Sequence, residues 1–178
     1  MSIARGDKLG AMEGSMPEKE TLERAHKDAR EGKSPSTQAG EFVREEMDHI
    51  REGKHGAAST KQAIAIGLSK ARRAGVKLAA PKKGKVSSRV RKQAARDTAK
   101  GQSTSRKQPS RTRSRATSAA LKREGHSAAS KKSLSEQAKS VARRRGAAAR
   151  HRSAVKAVNT KRRSEARNPS SSARRKAA

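Results

Sequence analysis

The sequence predicts a mostly α protein: a small, marginal helical module followed by a largely disordered basic tail with isolated helical stretches. Three observations predict it. Lys and Arg number 46 against 16 Asp and Glu, for a net charge of +30 over 178 residues. Phe42 is the one aromatic side chain, and Ala supplies most of the hydrophobic fraction. Bulky apolar residues recur at helical spacing only ahead of residue 78, between capping and stop signals. A chain with high charge and little to bury cannot offset its conformational entropy alone. That excludes a large enzyme core and a parallel sheet. No run approaches the ~18 apolar residues of a spanning helix, and no charged-then-apolar leader opens the chain. Cys is absent, so there is no disulfide framework, thiolate zinc site or Cys nucleophile. A cytoplasmic address, at the nucleoid, is the expectation.

Each element has its own local cause. Residues 1–16 carry Gly6, Gly10 and Gly14 without a period and are expected to be a loose leader. Pro17 suits a first helical turn, Glu18 and Glu20 suit the positive end of a helix dipole, and Gly32 can close a helix near 18–31. Its one bulky apolar residue is Leu22, so it is marginal alone. Ser34-Pro35-Ser36 breaks the chain. A second helix, 37–52, places Phe42, Val43, Met47 and Ile50 on one face.

The third helix, 59–74, has the strongest signal. Ser59 and Gln62 form a capping box. Lys70, Arg72 and Arg73 complement the dipole in the last turn, and Gly75 stops it. An antiparallel hairpin of helices two and three across residues 53–58 would bury Ile64, Ile66 and Leu68 with Phe42, Met47 and Ile50. Such a core is small. Pro81 and the basic run Lys82–Lys85 end the module, drawn at 17–78.

Charge divides the chain. Residues 1–50 hold 8 basic and 11 acidic groups, whereas residues 81–178 hold 31 and 4. Beyond Val90 the bulky aliphatics are Leu121, Leu134, Val141, Val155 and Val158. Burying each is worth about 1.5–3 kcal/mol, against about 1.5 kcal/mol to order each residue. The tail, 79–178, is therefore expected to gain order from an anionic partner. It also carries a degenerate repeat at 126–146. His55–Gly75 aligns without gaps on His126–Gly146, keeping the Ser cap, the Arg pair and the Gly stop while Ile64, Ile66 and Leu68 become Ser135, Gln137 and Lys139.

The segment Ser59-Thr-Lys-Gln-Ala-Ile-Ala-Ile-Gly-Leu-Ser-Lys-Ala-Arg-Arg-Ala-Gly75 resembles the signature of a bacterial domain family of unknown function found in small basic proteins. The resemblance covers roughly residues 41–78 and implies no activity. The tail is similar to bacterial linker-histone-like proteins in composition only.

Candidate chemistries fail on their residues. Gly32-Lys33-Ser34 ends like a phosphate loop, but position 27 is Lys27 and no strand precedes it. His26, His49, His55, His126 and His151 are scattered, and Asp48-His49 is the nearest pair of ligand types. Single surface histidines, no metal site and no cofactor are expected. The carboxylates Glu41, Glu45, Glu46 and Asp48 have no pocket to shift their pKa and read as a solvated face or as partners for Lys and Arg. No nucleophile elbow occurs. No catalytic residue is expected, and the protein is read as non-enzymatic.

Polyanion binding remains. The expected phosphate contacts are Lys61, Lys70, Arg72 and Arg73 on the third helix, with Lys82, Lys83, Arg89, Arg91, Arg111, Arg113, Arg115, Arg143, Arg144, Arg145, Arg162 and Arg163 beyond it. The tail has no aromatic residue to stack on bases and no scaffolded reading helix. The expected partner is duplex DNA, bound without sequence preference in the manner of a nucleoid-associated, linker-histone-like protein. An RNA or ribosome-associated protein is the alternative. A third reading is a protein-interaction module whose basic tail only keeps it soluble; under any of these readings, helices 37–52 and 59–74 are the expected surface for a protein partner or self-association. Membrane insertion is not expected. The acidic second helix could compete with DNA for the tail.

Overall fold

The computed structural model describes residues 17–103 and 110–167. The expected leader lies outside them, as do 104–109 and 168–178 of the tail. The described residues are mostly helical: α1 (Lys19–Arg30), α2 (Pro35–Arg51), α3 (Thr60–Arg73), α4 (Ser88–Gln102), α5 (Arg111–Lys122), a 3-10 turn (Ser127–Ala129) and α6 (Lys131–Arg167). The first three match the helices read from sequence to within about two residues. Ser34-Pro35 does more than break the chain. Ser34 caps α2, its side chain accepting from the Thr37 N–H, and Pro35 occupies the first helical position, where its missing N–H costs nothing.

α1, α2 and α3 end in the same way. At the end of α1, the Gly32 N–H bonds Ala29 O at 3.0 Å and the Lys33 N–H bonds Asp28 O at 2.9 Å. Gly53 with Lys54, and Gly75 with Val76, repeat this pair of bonds on α2 and α3. All three glycines have φ between +72° and +94°, the left-handed conformation this closure requires.

Two compact units divide the chain, Met1–Ser133 and Leu134–Ala178. In the first, α1 packs on α2, α2 on α3, and α3 on α4. Phe42, Met47 and Ile50 are buried, as the spacing in α2 predicts. α3 differs from expectation. Its buried face is Thr60, Ala63, Gly67, Lys70 and Ala71, while Ile64, Ile66 and Leu68 are only half-buried. The cause is how close the backbones lie. A Cβ on Gly67 would sit 2.7 Å from Val43 Cα and 2.9 Å from Phe42 O. Ala63, Gly67 and Ala71 recur every four residues and let α2 press against the α3 main chain. Leu22, Leu68, Val76 and Leu78 close around the buried Ala25, Ala39, Phe42 and Ala71.

The packed unit extends past residue 78, where composition draws the end of the module. α4 docks on α3 through Ala94, Asp97 and Gly101. Asp97 is fully buried, and its Oδ1 accepts from Arg73 Nε at 2.8 Å and Gln93 Nε2 at 3.1 Å. A Cβ on Gly101 would lie 2.0 Å from Arg72 O. The segment after α5 also packs here. Gly56 N–H bonds Leu121 O at 2.9 Å, Ala57 N–H bonds Gly125 O at 3.1 Å, and Thr60 Oγ1 donates to Ala128 O at 2.7 Å. The start of the first aligned copy thus packs on the start of the second and on the residues just ahead of it. Their helices are framed alike: Ser59 accepts from Gln62 N–H and Ser130 from Ser133 N–H, and Gly75 and Gly146 both take positive φ.

The second unit is helical as far as it is described. α6 has non-helical φ and ψ at Gly146 (71°, 166°), so it is two helices meeting at a kink.

Candidate functional site

The structure sorts the expected phosphate-binding residues into two groups. On α3, Lys61 is exposed, but Lys70 and Arg72 are buried and Arg73 is held by Asp97. Lys70 Nζ lies 3.2 Å from Glu45 Oε1 and 2.9 Å from Glu46 Oε2. The fold therefore turns Lys70 and Arg72 inward, away from any phosphate at the surface. An ammonium enclosed by two buried carboxylates cannot reach a phosphate without stripping both of their counter-charge. Burial also lowers the pKa of Arg72, against the pull of Asp97. Its Nη1 reaches Leu68 O at 3.5 Å. The cations in the last turn of α3 therefore tie α2 and α4 to it.

The other expected residues face solvent. Lys82, Lys83, Arg89, Arg111, Arg113, Arg115, Arg143, Arg144, Arg145, Arg162 and Arg163 are exposed, and Arg91 is half-buried. α5 buries no residue. From Lys131 to Arg163, α6 presents twelve Lys and Arg, all exposed. Among the described residues, one ion pair engages any of them, Lys161–Glu165 at 3.9 Å. These cations fall on every side of the helix, leaving no broad apolar face for a core. Val155 and Val158 stay 45% and 50% exposed.

The carboxylates of α2 are not a solvated face. Glu41 bonds Arg24 at 2.8 Å and Asp48 bonds Arg51 at 3.0 Å, while Glu45 and Glu46 are enclosed with Lys70. Glu41 and Asp48 each have an Arg partner and Glu45 and Glu46 are buried, so little of the acidic face of α2 is left for the tail.

His49 and His55 are likewise not surface histidines. Both are buried, with rings 6.1 Å apart in an edge-to-face arrangement. His49 Nε2 lies 2.7 Å from Glu18 Oε1, which also accepts from Lys54 Nζ at 3.1 Å. These bonds, His49 first and Lys54 second, hold the Glu18 carboxyl below the usual carboxylate range. Glu52 and then Glu18 raise the Lys54 ammonium. His55 Nδ1 is 3.1 Å from Gly56 O, and its Nε2 is 3.3 Å from Glu46 Oε1. Ligand atoms of Glu46, His49 and His55 all lie within 4.8 Å of one another. The sequence does signal this group. Glu46 and His49 are three residues apart, hence on one helix face, and the Gly53 turn brings His55 back over it.

Residues 33–84 match a family of unknown function, DUF6496. The matched stretch takes in α2, α3 and the loop through Gly84, with the signature-like segment 59–75 inside it. α1 and α4, which complete the packing, fall outside. No curated protein and no solved structure matches the chain. No helix among the described residues is long and apolar enough to cross a membrane.

Proposed function

We propose that the protein is a non-enzymatic, sequence-nonspecific DNA-binding protein of nucleoid-associated, linker-histone-like type, working through phosphate contacts. One observation carries this reading. α6 displays twelve cations over Lys131–Arg163, all exposed and almost none paired within the chain. A helix that is polar on all sides gains nothing from packing, and like charges along it repel. A phosphate backbone, with one charge per ~1.7 Å of duplex axis, removes that repulsion and releases counterions. The absence of aromatic side chains beyond Phe42 favours duplex over single strands. α5 and the loop at Lys82 and Lys83 add further exposed cations. In α3, Lys70, Arg72 and Arg73 are spent internally, so binding falls to Lys61 and to the exposed cations beyond α3.

The test is a gel shift of the full chain on duplex DNA over a salt series, with structured RNA as competitor. If about ten phosphates are engaged, log K should fall with log salt at a slope near −9. Replacing Arg143, Arg144 and Arg145 together by Gln should flatten that slope by about 2.7, whatever the DNA sequence. No retention at low salt overturns the reading. Preference for RNA at matched salt moves it to the alternative partner.

A further inference from the structure

We propose that Glu46, His49 and His55 form a binding site for a divalent transition-metal ion of borderline softness, such as Zn2+. The observations that carry it are independent of nucleic-acid binding.

His55 supplies the first. Gly56 O can only accept, so the hydrogen on that side belongs to His55 Nδ1. In the neutral ring Nε2 then carries a lone pair, and it faces a carboxylate oxygen, Glu46 Oε1, at 3.3 Å. Two acceptors at that separation need something positive between them. Zinc bound by nitrogen and oxygen at about 2.0–2.1 Å spaces tetrahedral ligands about 3.3 Å apart, which is the gap observed.

Glu46 supplies the second observation. It is 0% exposed, and neither of its oxygens has a well-formed hydrogen bond; Lys70 lies within ion-pair distance of Oε2 but is poorly aligned with it. Lys70 offsets one of the buried pair Glu45 and Glu46, which leaves one carboxylate in surplus. A divalent cation on Oε1 supplies the missing charge where burial makes it costly to omit.

The surroundings resemble those of a built metal site. Both imidazoles have an outer partner, Gly56 O for His55 and the Glu18 carboxylate for His49. Such partners orient metal-bound histidines. The Gly56 carbonyl is fixed in turn, because a Cβ there would collide with Glu124 O at 1.9 Å and its N–H is bonded to Leu121 O. His49 Nε2 is engaged with Glu18, so its Nδ1 would face the ion. The separations within the group, at most 4.8 Å, leave the side chains only a small adjustment to close on one ion. Two imidazoles and one carboxylate suit zinc and its neighbours, and the remaining position is left to water. Glu18 and Lys54, each about half exposed, lie between His49 and solvent-facing groups of the same unit.

The experiment uses the full chain without nucleic acid. Zn2+ is titrated calorimetrically, Co2+ binding is followed by its visible absorption, and unfolding is followed by circular dichroism. One Zn2+ per chain is expected, with a tetrahedral Co2+ spectrum. The midpoint should rise by roughly 5–10 °C at a hundredfold excess over Kd. His55→Gln should weaken binding at least tenfold, whereas replacing the exposed His26, His126 and His151 together by Gln should leave it unchanged. If His55→Gln does not fold, the Co2+ spectrum of the unmodified protein decides. No bound ion, an octahedral Co2+ spectrum, or loss of binding with the exposed histidines overturns the proposal.

Discussion

Lys70→Met tests the packing of the first unit most directly. Lys70 has a side chain 4% exposed and faces Glu45 and Glu46, which are 1% and 0% exposed. Met keeps the volume of the stem and removes only the ammonium. Both carboxylates then stay buried without their shared cation, a change that costs about 3–5 kcal/mol. A domain is held by about 5–15 kcal/mol, so about a fifth or more of the stability disappears. The thermal midpoint should drop by roughly 10–20 °C. Urea unfolding followed by far-ultraviolet circular dichroism is the suitable assay, because the chain has neither Trp nor Tyr. Replacing Glu45, Glu46 and Lys70 together by Met or Leu should recover most of the loss, since an apolar triad needs no counter-charge. Where Lys70→Met remains folded, its salt slope on DNA should equal that of the unmodified protein. A destabilisation below about 1 kcal/mol, or a slope flattened by about 0.9, would place the ammonium in solvent on a phosphate and refute the reasoning.

Gly67→Val should cost about 1–3 kcal/mol by overpacking, because its Cβ meets the Val43 main chain at 2.7 Å; a neutral effect in urea melts would mean that α2 and α3 can separate freely. Asp97→Ala removes the buried acceptor of Arg73 and Gln93, so α4 should be released first. At about 1.5–3 kcal/mol for hydrogen bonds to a charged group, limited proteolysis within 79–102 should accelerate roughly tenfold to a hundredfold, with α2 and α3 still protected. Lys33 bonds Asp28 first and Glu31 second, and these partners raise its pKa above the usual lysine range. Its contribution is complete below about pH 10.4 and is lost as pH climbs through the raised value. Lys33→Met should therefore narrow the alkaline loss of stability. As Lys33 is 42% exposed, the effect should be below about 1 kcal/mol, read from thermal melts across that range.

The helices were legible because their ends are written in single residues. Ser59 with Gln62, Pro35, and the glycines at 32, 53 and 75 each dictate a backbone state locally. The buried face of α2 was legible too, since Phe42, Met47 and Ile50 are bulky and periodic. The face of α3 was not. Counting bulky side chains points to Ile64, Ile66 and Leu68, yet close backbone approach buries Ala63, Gly67 and Ala71 instead. The docking of α4 was hidden for the same reason: Ala94, Gly101 and a buried Asp97 contribute almost nothing to an apolar count. Cations gave the opposite error. In a sequence, Lys70 and Arg144 are alike. Only the fold shows that one faces Glu45 and Glu46 while the other faces water. His49 and His55 looked unrelated because the turn at Gly53, six residues from one to the other, is what brings their rings together.

The positive-φ residue in the middle of α6 has a mechanical consequence. At 1.5 Å per residue, residues 131–145 and 147–167 form two rods of about 22 and 31 Å. Gly146 is the bend between them, so a phosphate backbone bound as proposed would meet two short cationic rods rather than one long one. An Ala there would resist positive φ with extended ψ, a state almost confined to glycine, and would favour helix by about 1 kcal/mol. One added methyl group would then weld both rods into a straight bar some 56 Å long, with the same charge but a fixed direction.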